Sequence, residues 1–168
     1  MLRPLPLAPL SFLAESLLVS LARRHPRLLA RLGDSAARTY LIDPTDLPFV
    51  FVLKPDPDHP SISAVRSEDG VQANARIAGR FAALLGLVHG AYDGDALFFS
   101  RDLVIEGDTE AVLALRNAID DAELDLAAEA AAALGPLGGI AETAMRIVLP
   151  AVEHVTGVAL TRAARPQR

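Results

Sequence analysis

A chain of 168 residues, 51% apolar but only 5% aromatic, is long enough to bury roughly 70% of its unfolded surface as one domain. It has no cysteine, which excludes disulfides, thiolate metal sites and a cysteine nucleophile and leaves the cytoplasm as the default compartment. A formal charge of −5 argues against a nucleic-acid surface, because phosphate contacts need clustered Lys and Arg. The charge is also uneven. Residues 1–38 carry six Arg against Glu15 and Asp34, whereas residues 102–129 carry nine acids against Arg116. The basic, Leu-rich N-terminus has two readings: approach to anionic lipid headgroups, or a solvated Arg face on an ordinary helix.

Residues 5–22 are Leu-rich but do not read as a membrane span, because Pro6 and Pro9 interrupt them and Glu15 sits in their middle. Leu10, Leu13, Leu17 and Leu21 keep helical spacing until Pro26, so two helices are expected, over 10–24 and 26–32, with Gly33 as C-cap and Asp34-Ser35 as loop. Four strands follow, at 39–42, 48–54, 61–66 and 71–76, separated by Pro44, Pro55-Asp56-Pro57-Asp58 and Asp69-Gly70. The second, Phe49-Val50-Phe51-Val52-Leu53, is apolar throughout and is expected to be central. The fourth alternates small apolar with polar residues, as a strand with one wet face does. Ile77, Phe81, Leu84, Leu85 and Val88 mark an amphipathic helix ending before Gly90.

Local pattern leaves Asp95–Ser100 open between a strand and a single helical turn. Leu103-Val104-Ile105 then reads as a buried strand ending at Gly107, and Asp108 offers an N-cap with Glu110 in the first turn. Val112, Leu115, Ile119 and Ala122 line one face of the helix that follows. Residues 124–134 read as an Ala-rich helix stopped by Gly135-Pro136. After Gly138-Gly139, an apolar face from Ile140 to Val155 predicts a terminal helix kinked at Pro150, acting as a lid or membrane-docking element, with plain packing on the sheet domain as an equal reading, and residues 165–168 should fray.

Catalytic signals are weak. His25, His59, His89 and His154 lie in separate segments without ligand spacing, and the first two, each before a proline, read as loop or cap residues. Ser63 and Ser100 lack a nucleophile elbow, and Gly86, Gly90 and Gly94 do not form a phosphate loop. Asp120, Asp121 and Glu123 cluster at a helix end with no apolar pocket in the local sequence to raise a pKa, so they read as a solvated acidic face or a docking surface. No enzyme, metal site or cofactor is expected.

The run Asp95-Ala96-Leu97-Phe98-Phe99 through Leu103-Val104-Ile105-Glu106-Gly107-Asp108-Thr109-Glu110 resembles the core signature of sterol carrier protein type 2 domains. It is closer to their bacterial branch called UbiT. The likeness is good over roughly residues 93–121 and looser over 38–92, where Asp46-Leu47-Pro48-Phe49-Val50-Phe51 resembles the family's early sheet. The resemblance implies an α+β fold, a five-stranded, mixed, mainly antiparallel sheet covered by helices over an apolar lipid tunnel. It implies a domain over 38–122, flanked by an N-terminal helical segment (1–37) and a C-terminal helical extension (123–168). It favours a helical turn at Asp95–Ser100. The tunnel residues would be Phe49, Phe51, Ile77, Phe81, Leu84, Leu85, Phe98, Phe99, Val112 and Leu115, and for the Phe98-Phe99 pair core packing is an equal reading.

The implied role is that of a non-catalytic accessory factor in oxygen-independent ubiquinone biosynthesis, holding isoprenoid quinone intermediates or another membrane lipid. It would work beside iron–sulfur hydroxylation proteins, in the cytoplasm or peripherally at the inner membrane. The alternatives are a generic lipid or sterol carrier of another pathway and a lipid-free oligomerising module.

Overall fold

The computed structural model describes residues 7–89 and 102–133. The expectations at Asp95–Ser100, including Phe98 and Phe99, and at 140–158 lie outside the described residues.

The chain opens with α1 (Leu7–Arg24), which starts three residues earlier than its Leu spacing suggests. Pro9 falls within its first turn, where a missing N–H costs nothing. Helix α2 (Pro26–Ala30) follows with proline at its start. Gly33 does adopt a positive φ of 51°, but it opens a 3-10 turn (Gly33–Ala37) in place of the expected loop.

The sheet consists of β1 (Tyr40–Pro44), β2 (Val50–Lys54), β3 (Ser61–Val65), β4 (Ala75–Gly79) and β5 (Leu103–Gly107) in the order β3-β2-β1-β4-β5. Only β1 and β4 run parallel, so the sheet is mixed and mainly antiparallel. Helix α3 (Phe81–His89) follows β4, and α4 (Thr109–Ala122) and α5 (Leu126–Ala133) follow β5.

Two strands differ from expectation for reasons that local sequence does not carry. The strand expected at 71–76 lies at Ala75–Gly79, where it pairs with β1 on one side and β5 on the other. Before it, Asn74 is tied to Thr39 rather than to a strand ladder: its N–H donates to the Thr39 carbonyl at 2.8 Å and its Oδ1 accepts the Thr39 N–H at 2.8 Å. Ile77 is therefore a strand residue, and α3 starts at Phe81, whose N–H donates to Asp46 Oδ1 at 2.8 Å. The cap comes from 35 residues upstream.

The strand expected to be buried, β5, is an edge strand in which Leu103 is buried but Val104 is 52% exposed. Its end is fixed by close approach. Gly107 has a φ of +82°, and a Cβ there would lie 2.3 Å from the Asn74 carbonyl. Strand β2 is interior but not central, because β1 holds the middle, and it is half-buried since two of its side chains face a cavity.

Candidate functional site

Register sorts the sheet's two faces. Side chains alternate along a strand, so Tyr40, Ile42 and Pro44 of β1 share a face with Phe51 and Leu53 of β2, Ile62 of β3 and Ile77 of β4. The opposite face carries Asp43 and Arg76. Arg76 pairs with Asp43 and with Glu106, its cross-strand partner on β5, and its Nε lies 3.3 Å from Glu68. These carboxylates hold its pKa above the usual arginine value. An ion-paired face, on which Leu41, Val50 and Ala78 are also buried, is thus set against an apolar one.

The apolar face is roofed by four helices over a cavity of about 310 Å³. That volume is within the ~300–1,000 Å³ range of small-molecule sites. Ile42, Phe51, Leu53, Ile62 and Ile77 form the floor, and Leu84, Leu85, Leu87 and Val88 of α3 and Val112, Leu115 and Ile119 of α4 form one side. The other side is Ala14, Leu17, Leu18, Leu21 and Ala22 of α1 with Leu28 and Leu29 of α2. Of the described lining residues, Arg116 alone is ionisable. Water gains nothing in such a space, since it finds few polar partners there.

Of the ten residues singled out from sequence, Phe51, Ile77, Phe81, Leu84, Leu85, Val112 and Leu115 meet around this cavity. Phe49 is not on the lining; it sits edge-on behind Phe51, with ring centroids 5.4 Å apart and an interplanar angle of 83°. Phe98 and Phe99 lie outside the described residues. Sequence reasoning missed the contribution of α1 and α2. The Leu17 and Leu21 spacing was visible in α1, but a helical stripe does not say what it faces.

On the same sheet face as the cavity floor, Tyr40 is fully buried, its hydroxyl 3.0 Å from the Ser35 carbonyl and 3.2 Å from that of Ala111. Burial, and next the charge of Asp108, push its pKa up. The hydroxyl joins the 3-10 turn to the first turn of α4, where Asp108 Oδ1 accepts the Ala111 N–H at 3.0 Å.

The charge asymmetry of the sequence resolves into internal pairing. Glu129 of α5 is 4% exposed and accepts from Arg24 at 3.0 Å, and its other oxygen lies 2.9 Å from His25 Nε2. Arg31 pairs with Asp121, and Arg38 with Asp108 at 3.5 Å. Three of the described N-terminal arginines are therefore committed to the acidic stretch, an outcome neither sequence reading anticipated. His25 is more than a cap residue: it occupies the N-cap position of α2 without a side-chain cap bond and turns its ring to Glu129. Asp120 and Asp121 are engaged with Arg116 and Arg31. Among the described residues, no His/Cys/Asp/Glu group is arranged to hold a metal ion, and no helix is long and apolar enough to cross a membrane.

A family model described as the SCP-2 sterol transfer family matches residues 18–120, over half of the chain. Among solved structures, a UbiJ-SCP2 ubiquinone synthesis protein is similar with a TM-score of 0.56 at 20% identity, covering 71% of this chain and 97% of its own. Sterol Carrier Protein 2 from Yarrowia lipolytica, in its apo form, gives a TM-score of 0.47 at 13% identity over 73% of this chain and 97% of its own. The sterol carrier protein domain 2 of Helicoverpa armigera gives 0.44 at 11% identity, over 61% of this chain and 79% of its own. No curated protein sequence matches the chain. The first of these likenesses establishes a shared fold.

Proposed function

The chain belongs to the SCP-2 sterol transfer family, and from that premise we propose that it is a non-catalytic lipid-binding protein that holds an isoprenoid or acyl chain in its cavity. One observation carries this reading: the cavity is walled by apolar side chains from both the sheet and the helices, with Arg116 alone ionisable among its described lining residues. The burial of a chain of three isoprenoid units, about 15 carbons at ~0.8 kcal/mol each, is worth on the order of 12 kcal/mol gross, of which association and ordering consume much. The described lining residues include no nucleophile and no acid–base pair, in keeping with a carrier.

The pathway is inferred on different grounds. The signature around residues 95–110 resembles UbiT proteins, and the fold is shared with a ubiquinone synthesis protein. Together they support an accessory role in oxygen-independent ubiquinone biosynthesis, with iron–sulfur hydroxylation proteins as partners that supply the redox chemistry a cysteine-free chain does not.

Native mass spectrometry of the purified protein, followed by organic extraction, tests the lipid reading. An isoprenoid quinone or its precursor supports the quinone role. Phospholipid or fatty acid alone supports a general carrier, and a protein that neither carries nor takes up lipid is not a carrier at all. Gene deletion tests the pathway: ubiquinone should fall in anaerobic cells and persist in aerobic ones, and equal anaerobic levels in deletion and wild type would remove the assignment.

A further inference from the structure

Of the described residues that line the cavity, Phe81 alone is exposed, at 39%. Further along α3, Leu84 and Leu87 are buried. Phe81 also stands at one end of the sheet, two residues beyond Gly79, which closes β4 beside Pro44 at the end of β1. Its neighbours there, Thr45, Asp46 and Arg80, are all exposed. Phe81 therefore belongs to the cavity and to the surface at once, and this places a mouth at the first turn of α3.

That turn is held from outside the helix. The Phe81 N–H is one of the donors a helix start leaves without an internal partner, and Asp46 Oδ1 accepts it at 2.8 Å. Asp46 is itself fixed to the sheet on both sides: the Thr45 N–H donates to the Gly79 carbonyl and the Leu47 N–H to the Pro44 carbonyl, each at 2.9 Å. The Asp46–Phe81 bond is exposed, so water takes over both partners when it breaks, and its net worth is small enough for reversible opening.

We propose that the guest enters and leaves past Phe81, and that Asp46 is a positioning residue that latches this doorway by holding the first turn of α3. This rests on the lipid-binding reading and adds to it the route of entry. A bond present in the closed state and broken in the open one sets how often the mouth opens, so it slows arrival and departure by the same factor and leaves affinity alone.

The probe is the fluorescent fatty acid cis-parinaric acid, mixed by stopped flow with delipidated wild type, Asp46→Ala, Asp46→Asn and Phe81→Ala. Asp46→Ala should raise the association and dissociation rate constants together, by about twofold to thirtyfold, the range set by losing an N-cap bond, with Kd within about twofold of wild type. Asp46→Asn keeps a capping oxygen and should stay near the wild-type rates. Phe81→Ala should also quicken association. Unchanged rates in Asp46→Ala, a faster dissociation alone with weakened binding, or an Asp46→Asn as fast as Asp46→Ala overturns the latch, and a folded Phe81→Ala that associates no faster than wild type puts the mouth elsewhere. All of these leave the carrier reading in place; failure of wild type to bind the probe overturns both.

Discussion

Filling the cavity from its wall separates a real void from loose packing. Ala22 lies in the last two turns of α1 and lines the cavity, half-buried beside Leu21. Replacing it with Leu keeps a strong helix former and adds three carbons directed at empty space. At about 0.8 kcal/mol per buried carbon the gross gain is about 2.4 kcal/mol, and about 0.5–1 kcal/mol of rotamer freedom is lost, leaving roughly 1.5 kcal/mol of net stabilisation. In a domain of this size that raises Tm by roughly 3–6 °C.

The same three carbons occupy space a guest would use, so affinity for a fluorescent fatty acid should fall at least tenfold. Urea unfolding must be run on delipidated protein, because bound lipid stabilises the native state by mass action and would mask the gain. Had Ala22 been packed against a solid core, the added carbons would overpack it and cost about 1–3 kcal/mol. Destabilisation of that size with unchanged lipid affinity would refute the cavity.

Three further changes probe the supports around it. Leu84→Asp places an ion at a cavity-lining position that is 7% exposed, costing roughly 2–5 kcal/mol; lipid carried per folded molecule should drop sharply, and a full lipid load in a folded variant would put the guest elsewhere. Tyr40→Phe removes the hydroxyl joining Ser35 and Ala111, and should cost about 1–3 kcal/mol in urea unfolding near neutral pH. Because burial raises the Tyr40 pKa above the ordinary tyrosine value of 10.0, its contribution is complete below pH ~10 and lost as pH climbs through the folded pKa. The variant's stability should therefore decline less steeply above pH ~10, and parallel profiles would refute the assignment. Glu129→Gln weakens the contacts to Arg24 and His25, and should cost about 1–3 kcal/mol; a change under about 0.5 kcal/mol in chemical denaturation would mean the pairing is ornamental.

What was legible in the sequence was local. Helix α4 announces itself through Asp108, Glu110 and a 3.6-residue apolar period, and it forms over Thr109–Ala122 with the Asp108 cap bond in place. The β2 run of apolar residues implied a central strand, and the strand is one place off, interior beside the central β1. Strand β4 was misplaced by four residues because its limits are set by neighbours distant in sequence: β1 and β5 pair with Ala75–Gly79, and Asn74 is occupied with Thr39. A propensity window at 71–76 sees alternation and cannot see the partner strands. The start of α3 was lost for the same reason, since its capping oxygen belongs to Asp46.

The site was half legible on the same principle. Bulky residues of the sheet, α3 and α4 were identifiable as cavity candidates, but Arg116 entered the sequence reading only as the one base of an acidic stretch. The acidic and basic blocks were counted correctly, yet their pairing joins residues 105 and 104 positions apart. No local pattern specifies that.

The way α1 is held ties these features together. It has no fully buried residue, and while it lies along β3 and against α5, five of its side chains line the cavity. Its anchors are at its ends. Near the start, Ser11 Oγ accepts the Ala64 N–H at 2.9 Å, which also occupies a donor on the outer edge of β3 that would otherwise invite another strand. At the finish, Arg24 and the adjoining His25 hold Glu129. Between these two points the face carrying Ala14, Leu17, Leu18, Leu21 and Ala22 meets empty volume, and the dispersion contacts missing there are those an apolar guest would supply. A wall that lies along β3 and is pinned at both ends keeps open a cavity that an unsupported helix would close.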